Sequence, residues 1–216
     1  MSKINIFHLI EGAKQAEGLT VIIDVFRAFS LECYLYDMGV KEIRPVGTIE
    51  ESFALGSSIP GSILIGERGG EKCEGFDYGN SPSAVFKENV TGKTIIHTTS
   101  AGTQGIVNAV NASEIITGSL VNARAVANYI MAKKPESVSL VCMGNGGVRP
   151  APEDELCGAY IKSILEGREL ADMDRRVLEL KDKGGEHFLI RPDSIFFRKM
   201  ISGCVLNMTA FPLCLK

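Results

Sequence analysis

The sequence predicts an α/β protein with three layers, in which a mostly parallel or mixed sheet carries helices on both faces. Short runs of β-branched residues alternate with helix-like segments along most of the chain, which is typical of βαβ units. Apolar residues make up 45% of the 216 residues, so both faces of such a sheet can be buried. A chain of this length forms one large domain or two small ones. We expect one compact unit over residues 1–216.

The first half of the chain alternates between strand and helix. The run at 20–25 is rich in β-branched residues, as buried strands are. The helix after it ends at Gly39. The next helix begins at Thr48, where Glu51 completes a capping box three residues later. The predicted strands of this half are 20–25, 41–47 and 62–67, and its predicted helices are 28–38 and 48–56.

After a loop and a short helix near residues 82–87, the same alternation begins again. The last helix of this part has Pro152 in its first turn, acidic residues next and Gly167 at its end, which are usual start and stop signals. A charged helix within residues 169–185 opens a C-terminal extension, 168–216. The predicted strands are 93–99, 113–119 and 137–144, and the predicted helices are 101–111, 121–134 and 152–167.

Two segments, about 20–70 and 93–147, resemble each other and predict an internal duplication of a β-α-β-α-β half. In the alignment of the two, Asp24 falls on His97. The alternative is that separate βα units simply look alike. If the duplication is real, matching loops meet at the same sheet edge, where ligands bind in open α/β sheets.

Charge and composition exclude several classes of protein. The net charge is −3, whereas proteins that bind nucleic acids have a basic surface. No apolar run is long enough for a membrane-spanning helix, and the N-terminus has no secretory signal. We therefore expect a cytoplasmic protein without a membrane or nucleic-acid partner. The six cysteines form no CxxC pair, which predicts reduced thiols rather than zinc ligands. We expect the apolar C-terminal segment either to cover the core or to form a subunit contact, and among oligomers a homodimer is the commonest.

The chain contains 23 glycines, and many of them adjoin polar residues at predicted strand ends. Glu67 and Arg68 are followed by Gly69 and Gly70, whose backbone N–H groups can form a concave anion site. In that interpretation Glu67 is a Mg²⁺ ligand and Arg68 clamps an anion. The alternative is a solvated turn.

The strand at 20–25 has an acidic residue, Asp24, near its end, and Arg27 follows three residues later. A carboxylate in this place is costly unless it is paired or bound to a metal. Arg27 can pair with it, or it can present two parallel N–H groups to a phosphate or sulfonate. A structural ion pair and an active-site pair therefore both remain open.

Two further turns place polar groups before a helix. Asn80 and Ser81 precede Pro82, so Ser81 either caps a short helix or forms an anion site with Asn80. The second turn contains Thr99, Ser100, Gly102 and Thr103. Its hydroxyl and backbone N–H groups suit phosphoryl or sulfonyl oxygens. His97, in the strand before it, is expected to be buried and hydrogen-bonded.

Glu153 and Asp154 begin the helix at 152–167, after a glycine-rich loop that contains Asn145. Acidic residues in the first turn of a helix interact favourably with its positive end. The alternative is that one of them faces a cleft and binds a metal ion or a water.

Several blocks of sequence, in this order and spacing, resemble the 2-phosphosulfolactate phosphatase family. They span about residues 20–160 and are VIIDVFRA, EIRPVGTIEES, LIGERGG, EGFDYGNSP, KTIIHTTSAGT, GSLVNARAVA, LVCMGNGG and PEDELCGA. The resemblance implies an α/β phosphomonoester hydrolase that depends on Mg²⁺. Its expected substrate is the small anion 2-phospho-3-sulfolactate, and its products are sulfolactate and phosphate. The reaction is best known from coenzyme M biosynthesis.

Motifs and resemblance together give the candidate site. The candidate catalytic residues are Asp24, Arg27 and Arg68, and the candidate metal ligands are Asp24, Glu67, Glu153 and Asp154. The candidate substrate-binding residues are Gly69, Gly70, Asn80, Ser81, Thr99, Ser100, Gly102, Thr103, Ser119, Asn122 and Asn145.

These residues suggest a mechanism in which carboxylates bind Mg²⁺, which polarises the phosphoryl group and lowers the pKa of an attacking water. Arg27 or Arg68 offsets negative charge in the transition state. Attack by Asp24 itself, through a phospho-aspartyl intermediate, is an alternative. Two other functions stay open, namely a non-catalytic binder of a phosphorylated or sulfonated metabolite, and a lyase or isomerase that acts on a similar anion.

Overall fold

The computed structural model describes residues 2–85, 89–168 and 170–181. Most of the predicted C-terminal extension, with the apolar segment behind the homodimer prediction, lies outside these residues. The strands are β1 (Lys3–His8), β2 (Gly18–Ile23), β3 (Glu42–Pro45), β4 (Ile63–Arg68), β5 (Glu71–Lys72), β6 (Thr94–Thr98), β7 (Ala112–Gly118) and β8 (Ser137–Cys142). The helices are α1 (Leu9–Gln15), α2 (Ser30–Asp37), α3 (Ile49–Ser58), α4 (Pro82–Val85), α5 (Gly102–Asn108), α6 (Ala123–Lys133), α7 (Pro152–Leu165) and α8 (Met173–Lys181).

The strands form two four-stranded sheets, with the orders β1-β8-β2-β7 and β3-β6-β4-β5. The first sheet is parallel throughout. In the second sheet β3, β6 and β4 are parallel, and only the short β5 pairs antiparallel with β4. Parallel strands need crossover connections, and helices provide most of them here. The α/β class is confirmed.

The first sheet is covered by helices on both faces because successive side chains of its strands point in opposite directions. Val21 and Ile23 of β2 pack with Ile161 of α7 in one apolar core. Ile22, between them, packs on the other face with Ile106 of α5. This alternation produces three layers, as the sequence predicted.

The second sheet is covered in the same way. Ile95 of β6 packs with Leu31 of α2. On the opposite face α3 lies so close that a Cβ on Gly56 would be 3.0 Å from Leu64 of β4. Helix α2 therefore follows a strand of the first sheet but covers a face of the second.

The elements predicted between residues 20 and 167 are present, and most of their ends are shifted by only a few residues. The helix predicted from residue 28 begins at Ser30, because residues 25–29 form a separate turn capped by the Asp24 side chain. Helix α8 lies within the charged segment 169–185. The prediction missed β1, α1 and β5. The first two lie before the first predicted strand.

The strand order shows that the two predicted halves exchange one strand each. β2, the first strand of the first half, lies between β7 and β8 of the second half. β6, the first strand of the second half, lies between β3 and β4 of the first half. Each half therefore contributes its first strand to the sheet of the other half. The duplication itself stays a prediction.

Two predictions from composition can be compared with the described residues. None of the helices there is long and apolar enough to cross a membrane. Cys33, Cys73, Cys142 and Cys157 are buried and free, which agrees with reduced thiols. Cys204 and Cys214 lie outside the described residues.

Candidate active site

Loops that follow strands of both sheets meet at a cleft of about 500 Å³. The residues after β2 and β8 of the first sheet lie on it, as do those after β4 and β6 of the second. Carboxyl ends of parallel strands are the usual place for a ligand in α/β folds. Four carboxylates and two arginines are among the residues that line this cleft.

Asp24 lies directly after β2 and is nearly buried. Its Oδ2 accepts a hydrogen bond of 2.8 Å from the Gly102 amide, and its Oδ1 accepts a longer one of 3.4 Å from the Ala28 amide. Burial raises the pKa of Asp24 to about 7, and Glu67 adds to the rise, whereas the two backbone hydrogen bonds and His97 oppose it. A Cβ on Gly102 would lie 2.9 Å from Asp24 Oδ2, so a side chain at this position would push the carboxylate away.

Asp154, in the first turn of α7, connects the loops after β2 and β8. Its Oδ1 accepts a hydrogen bond from the Val25 amide at 2.8 Å, and its Oδ2 accepts one from the Gly144 amide at 2.7 Å. Gly144 has a φ of +65°, and a Cβ there would lie 2.1 Å from a backbone oxygen of the same loop. Burial, and then the negative charge of Asp24, raise the pKa of Asp154 well above its ordinary value.

Glu67, near the end of strand β4, connects two loops of the second sheet in the same way. Its Oε1 accepts a hydrogen bond from the Ser100 amide at 2.6 Å. Its Oε2 accepts from the Gly70 amide at 2.7 Å and from the Ser100 hydroxyl at 3.1 Å. Asp154 thus binds the loop after β2, and Glu67 binds the loop after β6. These are the two strands that the halves exchange.

The cleft carries an excess of negative charge. Burial raises the pKa of Glu153 as well, so three of its four carboxyl groups are destabilised as anions. In the described residues the group of ligand atoms within 4.8 Å of one another is His8, Cys142 and Glu155, and no three cleft carboxylates meet that limit. Mg²⁺ in proteins usually needs only one or two carboxylate ligands, with waters as the others.

The three arginines near the cleft differ in what they contact. Arg27 lines the cleft, and burial lowers its pKa while Glu67 and Asp24 counteract that change. Arg149 also lines the cleft and is exposed. Arg68 does not line it. Its guanidinium donates hydrogen bonds to backbone oxygens of Glu67 and Gly47 and to the Thr98 hydroxyl. The structure therefore favours a structural role for Arg68 over the expected anion clamp.

The hydroxyl-rich turn after β6 uses most of its polar groups internally. The Thr99 amide donates to Thr103 Oγ1 at 2.8 Å, and the Thr103 amide donates to Thr99 Oγ1 at 3.1 Å. Both threonines are buried, and the Ser100 and Gly102 amides are taken by the carboxylates of Glu67 and Asp24. The turn positions carboxylates, and Ser100 is its one predicted residue on the cleft lining.

Three other predicted residues lie away from the cleft lining. The Ser119 amide donates to Asn122 Oδ1 at 2.8 Å, and Asn122 Nδ2 donates to the Thr117 oxygen at 3.1 Å. Both residues are buried and shape the start of α6. Ser81 shares a hydrogen bond of 2.9 Å with Ser83. These contacts are structural.

Asn80 lines the cleft and is connected to the protein interior. Its Oδ1 lies 3.1 Å from Nε2 of His97, and Nδ1 of His97 lies 2.8 Å from a carboxylate oxygen of Glu32. His97 is 0% exposed. The expectation that this histidine is buried and hydrogen-bonded is confirmed.

The structure brings most of the candidate residues to one cleft. The predicted residues that line it are Asp24, Arg27, Glu67, Gly69, Gly70, Asn80, Ser100, Asn145, Glu153 and Asp154. The predicted residues outside its lining are Arg68, Ser81, Thr99, Gly102, Thr103, Ser119 and Asn122. Arg149 was missed, although it is the one basic residue in the sequence between β8 and α7.

Comparison with known proteins identifies the family. A model of the 2-phosphosulpholactate phosphatase family matches residues 4–188. A probable 2-phosphosulfolactate phosphatase of Carboxydothermus hydrogenoformans is 34% identical over 212 residues, which cover 95% of this chain and 84% of that protein. One of Bacillus subtilis is 30% identical over 194 residues, which cover 88% and 83%. One of Thermotoga petrophila is 40% identical over 152 residues, which cover 70% and 64%.

These matches, with the acidic cleft of an α/β fold, place the protein among the phosphoric monoester hydrolases. The chain belongs to the 2-phosphosulpholactate phosphatase family, as its motifs predicted.

Proposed function

We propose that the protein hydrolyses the phosphate monoester of 2-phosphosulfolactate, or of a closely related phosphorylated 2-hydroxy acid, with Mg²⁺ as cofactor. The observation that carries the proposal is the cleft, where four carboxylates and two arginines from both sheets share one space of about 500 Å³. The names of the relatives support the choice of substrate.

The donor set fits Mg²⁺, which prefers carboxylate oxygens and retains several waters. Asp24, Glu67, Glu153 and Asp154 would supply the one or two carboxylates. Burial and then neighbouring negative charge raise the pKa values of Asp24 and Asp154, and a divalent cation would stabilise their ionised forms there. When bound, the ion would supply Lewis acidity at the phosphoryl group and a water of lowered pKa.

The substrate carries phosphate, sulfonate and carboxylate groups, so it also needs cationic side chains. Arg27 is half-buried near Asp24 and Glu67, where it can face the phosphoryl oxygens and offset charge that develops on them. Arg149 is exposed on the cleft and is placed to face the sulfonate or carboxylate. Guanidinium groups suit both tasks because they donate two parallel hydrogen bonds.

Two routes for cleavage of the phosphate ester fit Asp24. With a pKa of about 7 it can accept a proton from an attacking water near neutral pH. It can also attack phosphorus and form a phospho-aspartyl intermediate. Hydroxylamine distinguishes the two routes, because it traps an acyl phosphate at Asp24 only in the second.

Release of inorganic phosphate from 2-phosphosulfolactate tests the proposal. We expect release that EDTA abolishes and added Mg²⁺ restores. Full activity in EDTA would remove the metal from the proposal. A raised melting temperature with substrate but no release would show a non-catalytic binder. Products other than sulfolactate and phosphate, identified by NMR, would show a lyase or an isomerase.

A further inference from the structure

A chain of three polar side chains runs from the interior of the second sheet to the cleft. Glu32 on α2 is 4% exposed, His97 on β6 is 0% exposed and Asn80 is 5% exposed. The distances along it are 2.8 Å from Glu32 Oε1 to His97 Nδ1 and 3.1 Å from His97 Nε2 to Asn80 Oδ1. Glu32 and His97 do not line the cleft, and only Asn80 does.

The direction of these hydrogen bonds follows from the atoms that face one another in the structure. A carboxylate only accepts, so His97 donates from Nδ1 to Glu32. With Oδ1 of Asn80 facing the ring, His97 donates from Nε2 as well, and in this arrangement the ring is an imidazolium paired with Glu32. The remaining group of Asn80, its Nδ2, has no acceptor among the described residues. Among the described residues, this nitrogen is not a buried atom without a partner. It is therefore exposed to the cleft that Asn80 lines.

Burying an ion pair in an apolar region rarely adds stability, because desolvation of the two charges offsets their attraction. Glu32 and His97 are buried, and Leu31 on the same helix and Ile95 on the same strand belong to one apolar core. A pair retained in such a place is better explained by what it orients than by the stability that it adds.

We propose that the Asn80 amide donates a hydrogen bond from Nδ2 to an anionic oxygen of the bound substrate, and that Glu32 and His97 are positioning residues that orient this amide. The inference rests on the proposed function for the identity of the substrate. Glu32→Gln removes the charge that stabilises the imidazolium. In the neutral ring that keeps its proton on Nδ1, this proton is donated to the new amide oxygen, and Nε2 becomes an acceptor. The Asn80 amide then turns its NH₂ group toward His97 and presents Oδ1 to the anion.

A double-mutant cycle tests this coupling. Asn80→Ala and Glu32→Gln are each expected to lower kcat/KM roughly tenfold to a hundredfold, the range for a hydrogen bond to a charged group. The kcat/KM of the double variant is expected to be no lower than that of the less active single variant, because both changes remove the same donor. Glu50→Gln, on an exposed position of α3, is the matched control and should keep full activity. Losses that multiply in the double variant, or full activity of a folded Glu32→Gln variant, would overturn the proposal.

NMR of the wild-type protein gives a second test that does not depend on folding of a variant or on catalysis. The ¹⁵N shifts of His97 are expected to show both ring nitrogens protonated, and the Asn80 NH₂ signals should move on titration with inorganic phosphate and Mg²⁺. A neutral His97 ring, or unchanged Asn80 signals while phosphate binds, contradicts the proposal, as does a failure to bind phosphate. Absence of phosphate release alone refutes the proposed function and leaves this titration as the decisive measurement.

Discussion

At the scale of single residues, the cleft is shaped by backbone N–H groups that bind the protein's own carboxylates. Asp24, Glu67 and Asp154 each accept two backbone hydrogen bonds, and several of the donors are glycines. Sequence patterns predict the glycines and the acids correctly but assign the amides to a bound anion. The pattern of residues cannot decide between an external anion and a side chain, because both satisfy the same N–H groups.

The proposed mechanism of phosphate release depends most on Asp24. Asp24→Asn is expected to lower kcat by at least about 100-fold, since an amide can neither take up a proton nor attack phosphorus. The variant should still fold, because its amide oxygen can keep the 2.8 Å hydrogen bond from Gly102 and only the longer one from Ala28 is lost. Phosphate release and a thermal melt measure the two effects, with Glu50→Gln as the control. Near-normal turnover would remove Asp24 from the mechanism.

We expect Arg27 to act on the substrate and Arg68 to act on stability. Arg27→Ala should lower kcat/KM by about tenfold or more and change stability little, because the side chain lines the cleft. Arg68→Ala should lower the free energy of unfolding by about 1–3 kcal/mol, because it removes two hydrogen bonds that connect β4 to Gly47 and Thr98 and a third within β4.

Urea denaturation and steady-state kinetics on both variants measure these quantities. An Arg68→Ala variant of wild-type stability with lost activity would restore the anion clamp that the sequence predicted.

At the scale of elements, the sequence predicted what local signals determine. The capping box at Thr48 is present, with Glu51 accepting from the Thr48 amide and donating its own amide to the Thr48 hydroxyl. The turn at residues 25–29 could not be predicted in this way. Its form depends on Asp24 accepting from Ala28 and on Asp154 accepting from Val25, and Asp154 is distant in sequence.

Helix α5 illustrates how packing opposes helix propensity. Gly105 in its middle allows α5 to lie on the first sheet, where a Cβ would be 2.5 Å from Met143 Sδ and 2.6 Å from Ile22 Cγ2. Propensity alone predicts that Gly105→Ala stabilises the protein by up to about 1 kcal/mol. We expect the opposite, a loss of about 1–3 kcal/mol, because overpacking forces the helix from the sheet.

Urea denaturation checks the sign of this change. Val107→Ala, at a partly exposed position of the same helix, serves as the control and should change stability by less than about 0.5 kcal/mol. A stabilised Gly105→Ala variant would show that α5 can shift without loss of packing.

At the scale of the whole molecule, the exchange of strands explains why the site could be predicted only in part. Matching loops were expected at one sheet edge, and candidates from four of the five loops do meet, whereas those at 118–122 lie elsewhere. The sequence did not predict two sheets, because hydrophobic patterns identify strands but not their partners. The exchange brings the loop after β2 against the loop after β6, where the Gly102 amide binds Asp24. The cleft thus depends on both sheets together.

The exchange also predicts that the two sheets unfold together. Helix α2 contributes Cys33 to the core of the first sheet and Leu31 to that of the second. Cys142 and Cys157 lie in the first core, whereas Cys73 follows β5 of the second sheet. Burial raises the pKa of all four thiols, that of Cys33 to about 12, so little of the reactive thiolate is present in the folded protein.

Alkylation with iodoacetamide across a urea series, followed by peptide mapping, tests this prediction. The four thiols should be protected in the absence of urea and should become reactive at one shared midpoint, because opening either sheet disrupts α2 and the hydrogen bond between Asp24 and Gly102. Peptide mapping separates them from Cys204 and Cys214. If Cys73 reacted at clearly lower urea than Cys142 and Cys157, the second sheet would unfold by itself, and the exchanged strands would not couple the two halves.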